Sequence, residues 1–141
     1  MKKYKIGYTQ GTFDLFHIGH LNLLKKAKEL CDYLIVGVNS DELVKEYKNK
    51  ETNICEEQRL EIVKALKVVD DAVIAETLEK LVAYKKFKFN AIFIGDDWRG
   101  NERWKKTEED LKSVGAVVEY LPHTEGISTT ILSTAIENER K

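Results

Sequence analysis

The chain predicts an α/β fold, a five-stranded parallel sheet with helices on both faces, and three observations lead there. Short apolar runs of strand length alternate with segments of helical periodicity, the pattern of parallel strands joined by crossover helices. The residues richest in chemistry follow the first, fourth and fifth strand patterns, and in such sheets ligands sit beyond the carboxyl ends of strands. With 43% hydrophobic residues in 141, the chain can fill one core. A single proline and the lack of a low-complexity tract or repeat give no sign of a linker, so residues 1–141 read as one domain.

The elements follow in order. Lys5–Gln10 reads as the first strand, and Gly19–Leu30 as a helix with Leu23, Leu24, Ala27 and Leu30 on one face. Tyr33–Val38 is a buried second strand, and Ser40 caps a short helix over Asp41–Tyr47. Lys48–Asn53 is polar and basic, an exposed loop. Glu56–Leu66 is amphipathic, with Leu60, Val63 and Leu66 facing inward. Val68–Ile74 is the third strand, Leu78–Lys86 a helix and Ala91–Gly95 the fourth strand. Asp96–Lys106 reads as a loop and Thr107–Val114 as a helix that Gly115 ends. Val117–Leu121 is the fifth strand, Pro122–Ser128 a loop and Thr129–Arg140 a last helix capped by Ser128. The arrangement is Rossmann-like, and the loops after strands one, four and five meet at one crevice.

Composition narrows the function classes. A formal net charge of −1 gives no global basic field for nucleic acid, and no basic-aromatic stripe suggests RNA. Cys31 and Cys55 stand far apart without a Cys/His grouping, so neither a zinc site nor a disulfide framework is expected. No apolar run is long enough to span a bilayer, and the start reads as a strand rather than a signal peptide; a cytoplasmic location is the expectation.

The most informative stretch is Gly11-Thr12-Phe13-Asp14-Leu15-Phe16-His17-Ile18-Gly19-His20, joining strand one to a helix. His17 and His20 are three residues apart, so both can point toward one site at the helix start. Gly19 between them leaves room for a phosphate near the backbone. The helix start offers free N–H groups and a dipole that favours anions. Imidazoles there can donate to phosphate oxygens, or carry charge if an anion raises their pKa. A competing reading has one histidine cap the helix while the other packs under a loop.

This stretch resembles the HxGH signature of the nucleotidylyltransferase superfamily, in its cytidylyltransferase branch. Gly95-Asp96-Asp97-Trp98 resembles the GDDW element of bacterial glycerol-3-phosphate cytidylyltransferases, and Thr124-Glu125-Gly126-Ile127-Ser128-Thr129-Thr130 is similar to the RTEGISTT signature of the same group. The resemblance covers nearly the whole chain, in order and with similar spacing.

The resemblance implies transfer of a cytidylyl group from CTP to glycerol 3-phosphate, or to phosphoethanolamine or phosphocholine; a catalytically silent nucleotide-binding module is the reading from another class. It implies a homodimer, Mg²⁺ accompanying CTP, no metal held by the protein itself, and a product used for teichoic-acid-like or capsular polymers. His17 and His20 inherit transition-state stabilisation. Gly11, Thr12, Phe13 and Gly19 in the first loop, with Thr124, Ile127, Ser128 and Thr129 at the start of the last helix, would bind the nucleotide. Asp96 and Trp98 would sit over the nucleoside. Lys48 and Lys50 match lysines that reach the triphosphate, and Arg59 an arginine of the following helix. Asp14 either orients the loop or helps to hold a metal. Lys67 and His123 stand where the family has arginines. Lysine lacks the two-pronged grip on phosphate, and histidine can be neutral near pH 7.

Overall fold

The predicted alternation is realised in a computed structural model that describes residues 2–96 and 99–122. The order is β1 (Tyr4–Gly11), α1 (Ile18–Leu30), β2 (Cys31–Asn39), α2 (Asp41–Lys48), α3 (Glu56–Lys64), β3 (Asp71–Ala75), α4 (Lys80–Phe87), β4 (Ala91–Gly95), α5 (Glu102–Lys112) and β5 (Val117–Leu121). The predicted helix over Thr129–Arg140 lies outside the described residues. All strand pairs are parallel, and the strand order is β3-β2-β1-β4-β5. The chain therefore builds outward from β1 on one side, then returns to start β4 on the other. That reversal leaves a crevice beyond the carboxyl ends of β1 and β4.

Alternation along the strands assigns the two faces. Leu34, Val36 and Val38 of β2 join Leu24 and Ala27 of α1 and Val63 of α3 in one core layer. Ile35 points the other way, into a layer with Tyr8, Ile92, Phe89 and Leu111, against which Leu81 and Tyr84 of α4 and Trp104 of α5 pack. Leu24, Leu34 and Val36 are fully buried. Each such side chain stabilises the fold by about 1.5–3 kcal/mol relative to exposure.

Two boundaries differ from the sequence expectation by three residues or more, each because a polar group claims the backbone. Val68–Asp70 turns instead of extending: the Val69 N–H donates to Leu66, while the Asp70 carboxylate accepts from Leu34 N–H at 2.8 Å and from Lys28 at 2.6 Å. β3 therefore starts at Asp71. The segment expected to be a loop up to Lys106 becomes helix from Glu102, because the Asn101 side chain caps it by accepting from Arg103 N–H at 3.0 Å. Gly115, at φ +88°, closes that helix in the left-handed conformation, as its position suggests.

Candidate active site

The loop leaving β1 is held in a strained shape. Phe13 and Leu15 both adopt left-handed backbone, at φ 54° and 47°, which L-residues avoid. The buried Asp14 lies between them. Its carboxylate accepts from the Asn53 backbone N–H at 2.8 Å, the Asn53 side chain at 3.0 Å and the Ile54 N–H at 2.9 Å. Of its two sequence readings, this geometry is that of loop orientation. Phe13 turns its ring into the core, edge-on to the His20 ring with centroids 5.4 Å apart. Gly11 ends β1, where an added Cβ would press the Phe13 ring at 3.2 Å.

The two histidines form a reciprocal cap on α1. His17 is the N-cap, and its Nδ1 accepts from Gly19 N–H at 3.0 Å. His20 Nδ1 accepts from His17 N–H at 3.2 Å. The rings lie stacked, with centroids 3.9 Å apart and planes 24° apart. Capping and chemistry are thus not alternatives here. Each Nδ1 is occupied as an acceptor, so in each neutral ring the proton sits on Nε2. His17 Nε2 is buried and has no hydrogen-bond partner among the described residues. Such a donor is costly unless a ligand takes it up. One expectation changes: the Gly19 N–H is spent on the cap, and imidazole Nε2–H is the donor left in its place.

Burial favours the neutral form of both rings. It lowers the pKa of His17, and it lowers that of His20 to about 4, assisted by the neighbouring His17 and opposed by Asp14. Since an unfolded histidine titrates near 6.5, the unfolded chain binds the extra proton first as acid is added. The stability due to a neutral His20 is complete above about pH 6.5 and is lost as pH falls toward 4. Melting temperature is therefore expected to fall between pH 7 and pH 5, with a shallower slope for His20→Gln. An unchanged slope in that variant would reject this source of acid sensitivity.

The remaining candidates separate. Lys48, the last residue of α2, and Lys50 just beyond it are exposed. Lys48 Nζ lies 5.5 Å from the centre of the Tyr47 ring. Asp96 follows β4 at the crevice. Trp98, His123, Thr124, Ile127, Ser128 and Thr129 lie outside the described residues.

Arg59 departs from its expected place at the nucleotide. It is buried to 1% exposure, and its guanidinium donates to Ile54 O at 2.8 Å, Thr12 O at 2.6 Å and Asn39 O at 2.8 Å, and pairs with Asp41 at 2.6 Å. It braces the loops that carry the site. Burial alone would raise the Asp41 carboxyl, but hydrogen bonds from Arg59, the Glu56 backbone and Thr52 outweigh it and hold that pKa below the usual value. Lys67 also departs from expectation. It is exposed on the turn entering β3 from the amino-terminal side, whereas the histidines lie beyond the carboxyl end of β1. Within one chain it faces the wrong edge of the sheet.

Sequence reasoning missed Gln10, Asn39, Asp41, Tyr47 and Asn53, whose polar contacts shape this site. Their partners come from other strands and loops, and no local spacing marks them.

A strand-order switch with paired imidazoles at a helix start places the chain among α/β domains whose ligand crevice lies beyond the strand ends. The family model described as cytidylyltransferase-like matches residues 8–135, and the chain belongs to that family. It is 40% identical to the glycerol-3-phosphate cytidylyltransferase of Bacillus spizizenii, over 86% of this chain and 89% of that protein. It is 43% identical to the FAD synthase of Pyrococcus abyssi, over 79% of this chain and 74% of that protein. Among solved structures it is similar to the lipopolysaccharide core biosynthesis protein of Thermoplasma volcanium, with a TM-score of 0.71 and 26% identity over 86% of this chain and 97% of that one. Among the described residues, no helix is long and apolar enough to cross a membrane.

Proposed function

We propose that this chain transfers a cytidylyl group from CTP to glycerol 3-phosphate, releasing pyrophosphate in one in-line displacement. The observation that carries the reading is the stacked His17–His20 pair, whose Nδ1 atoms are consumed by the backbone and whose Nε2–H groups remain as donors. Relatives named glycerol-3-phosphate cytidylyltransferase support the choice of substrates.

In this mechanism a phosphate oxygen of the acceptor attacks the α-phosphorus of CTP. The new P–O bond forms as the bond to the bridging oxygen breaks, and that electron pair leaves on pyrophosphate. The nucleophile is already an anion, so no strong base is needed. The neutral imidazoles donate Nε2–H to oxygens whose negative charge grows in the transition state. Asp14 and Arg59 fix the loop so that these donors meet the α-phosphate in one geometry.

A magnesium ion accompanying CTP would neutralise charge on the β- and γ-phosphates. Among the described residues no group of three or more His, Cys, Asp or Glu could cage a metal, and Asp14 is engaged by Asn53 and Ile54. In this reading the cation is carried by the nucleotide's phosphates and water. The reading includes a cytoplasmic homodimer whose product enters teichoic-acid-like or capsular polymer synthesis.

The test is a panel of CTP and ATP against glycerol 3-phosphate, phosphoethanolamine, phosphocholine and, because one relative is a FAD synthase, flavin mononucleotide. Pyrophosphate release with CTP and glycerol 3-phosphate well above every other pair is expected. A preference for ATP, or for another acceptor, overturns the assignment.

A further inference from the structure

A chain of polar side chains crosses the carboxyl ends of β1 and β2, and one carbonyl fixes the direction of its bonds as far as Asn39. Gln10 Nε2 donates to Thr77 O at 2.9 Å, and a carbonyl can only accept. The amide of Gln10 is thereby oriented. Its Oε1 accepts from the Tyr8 hydroxyl at 2.7 Å, and its Nε2 also donates to Asn39 Oδ1 at 2.9 Å. That bond in turn orients Asn39, whose Nδ2 must donate onward, to Tyr47 Oη at 3.2 Å and Thr12 Oγ1 at 3.4 Å. Tyr47 Oη and Thr12 Oγ1 lie 3.0 Å apart, each already accepting from Asn39, and either hydroxyl can be the donor between them.

The start of the relay is built in. Tyr8 is buried, burial raises the pKa of its phenol, and it therefore stays a donor. Gly37 supplies the space for that hydroxyl, because an added Cβ would lie 2.2 Å from Tyr8 Oη. The consequence falls at the other end. With Tyr47 as the donor of their shared bond, both lone pairs of Thr12 Oγ1 are filled, one by Tyr47 and one by Asn39. Its hydroxyl can then only donate, so it suits an anionic oxygen and not a cation. Aligned bonds of this kind also polarise one another, strengthening the last donor.

We propose that Tyr47 is a positioning residue, acting through Thr12, that commits the Thr12 hydroxyl to donate to a phosphate oxygen of the bound nucleotide. The proposal rests on the nucleotidyl-transfer reading above. Tyr47 also lies in the last turn of the short helix that ends at Lys48, so the same hydroxyl ties the lysine-bearing turn to the histidine loop. The residue is 37% exposed, and its ring is kept in Tyr47→Phe, so that variant removes the hydroxyl without emptying a core site.

The test is a double-mutant cycle with Tyr47→Phe and Thr12→Val, read by calorimetric Kd, kcat and melting temperature. It is run with whichever nucleoside triphosphate the wild-type enzyme turns over. A nucleotide other than CTP would then overturn the CTP reading without touching this one. Thr12→Val is expected to raise Kd about ten-fold, and Tyr47→Phe several-fold, the scale of one hydrogen bond to a charged group. In the Thr12→Val background, Tyr47→Phe is expected to change Kd less than two-fold, with melting temperature nearly constant throughout. Equal losses from Tyr47→Phe in both backgrounds would overturn the proposal, as would no loss in the wild-type background. A fall in melting temperature that accounts for the loss would assign Tyr47 a structural role instead.

Discussion

Replacing His20 by alanine is expected to lower kcat by about 10²–10³-fold while changing the Kd for CTP little. The scale is that of removing one preorganised donor from developing charge. The split between kcat and Kd follows from geometry. His20 Nε2–H is proposed to meet an oxygen whose charge is greatest in the transition state, so its loss is felt there more than in the ground state. Part of the loss is structural, since His20 Nδ1 also holds the His17 N–H. The companion variant His20→Gln separates the two. A glutamine can present an amide donor in roughly the Nε2 position but cannot titrate. Partial recovery of kcat in His20→Gln, measured by pyrophosphate release, is the expected result for a neutral donor. If His20→Ala turns over like wild type, the imidazole pair is not the catalytic centre.

The second large effect is on stability. Arg59→Ala is expected to destabilise the fold by about 3–5 kcal/mol, because it breaks a buried pair and strands the carbonyls of Thr12, Asn39 and Ile54. For a chain of this size that lowers the melting temperature on the order of 10 °C. Asp41 is 40% exposed at its side chain, so water can solvate its carboxylate, and the larger share of the cost comes from the carbonyls and the emptied volume. Arg59→Lys should recover only part of this, since an ammonium cannot reach three carbonyls and a carboxylate in one plane. A normal melting temperature combined with lost CTP affinity would return Arg59 to the nucleotide and refute the bracing role.

These two residues show different degrees of legibility. The histidine pair could be read directly, because a three-residue spacing at the start of a helix converges two rings whatever the rest of the fold does. Its reciprocal capping could not, because it depends on ring orientation. Arg59 could be placed on a helix, but the identity of its partners could not. Thr12, Asn39 and Ile54 reach it from separate loops, and only assembly of the sheet brings their carbonyls together. The same holds for Lys67, which matches a family position in the sequence but lies toward the opposite edge of the sheet within one chain.

By itself the sequence determined the alternation of strands and helices, most of their bounds and the convergence of the two histidines at a helix start. Each depends on periodicity or spacing within a few residues, where backbone geometry leaves little freedom. Only the tertiary structure decided where Phe13 points, that Asp14 and Arg59 hold loops, and that Gln10, Asn39, Tyr47 and Thr12 form one hydrogen-bonded chain. Those outcomes depend on which groups meet across strands. A buried polar atom takes whatever partner the packed sheet brings within 3 Å or so, and no local pattern carries that information.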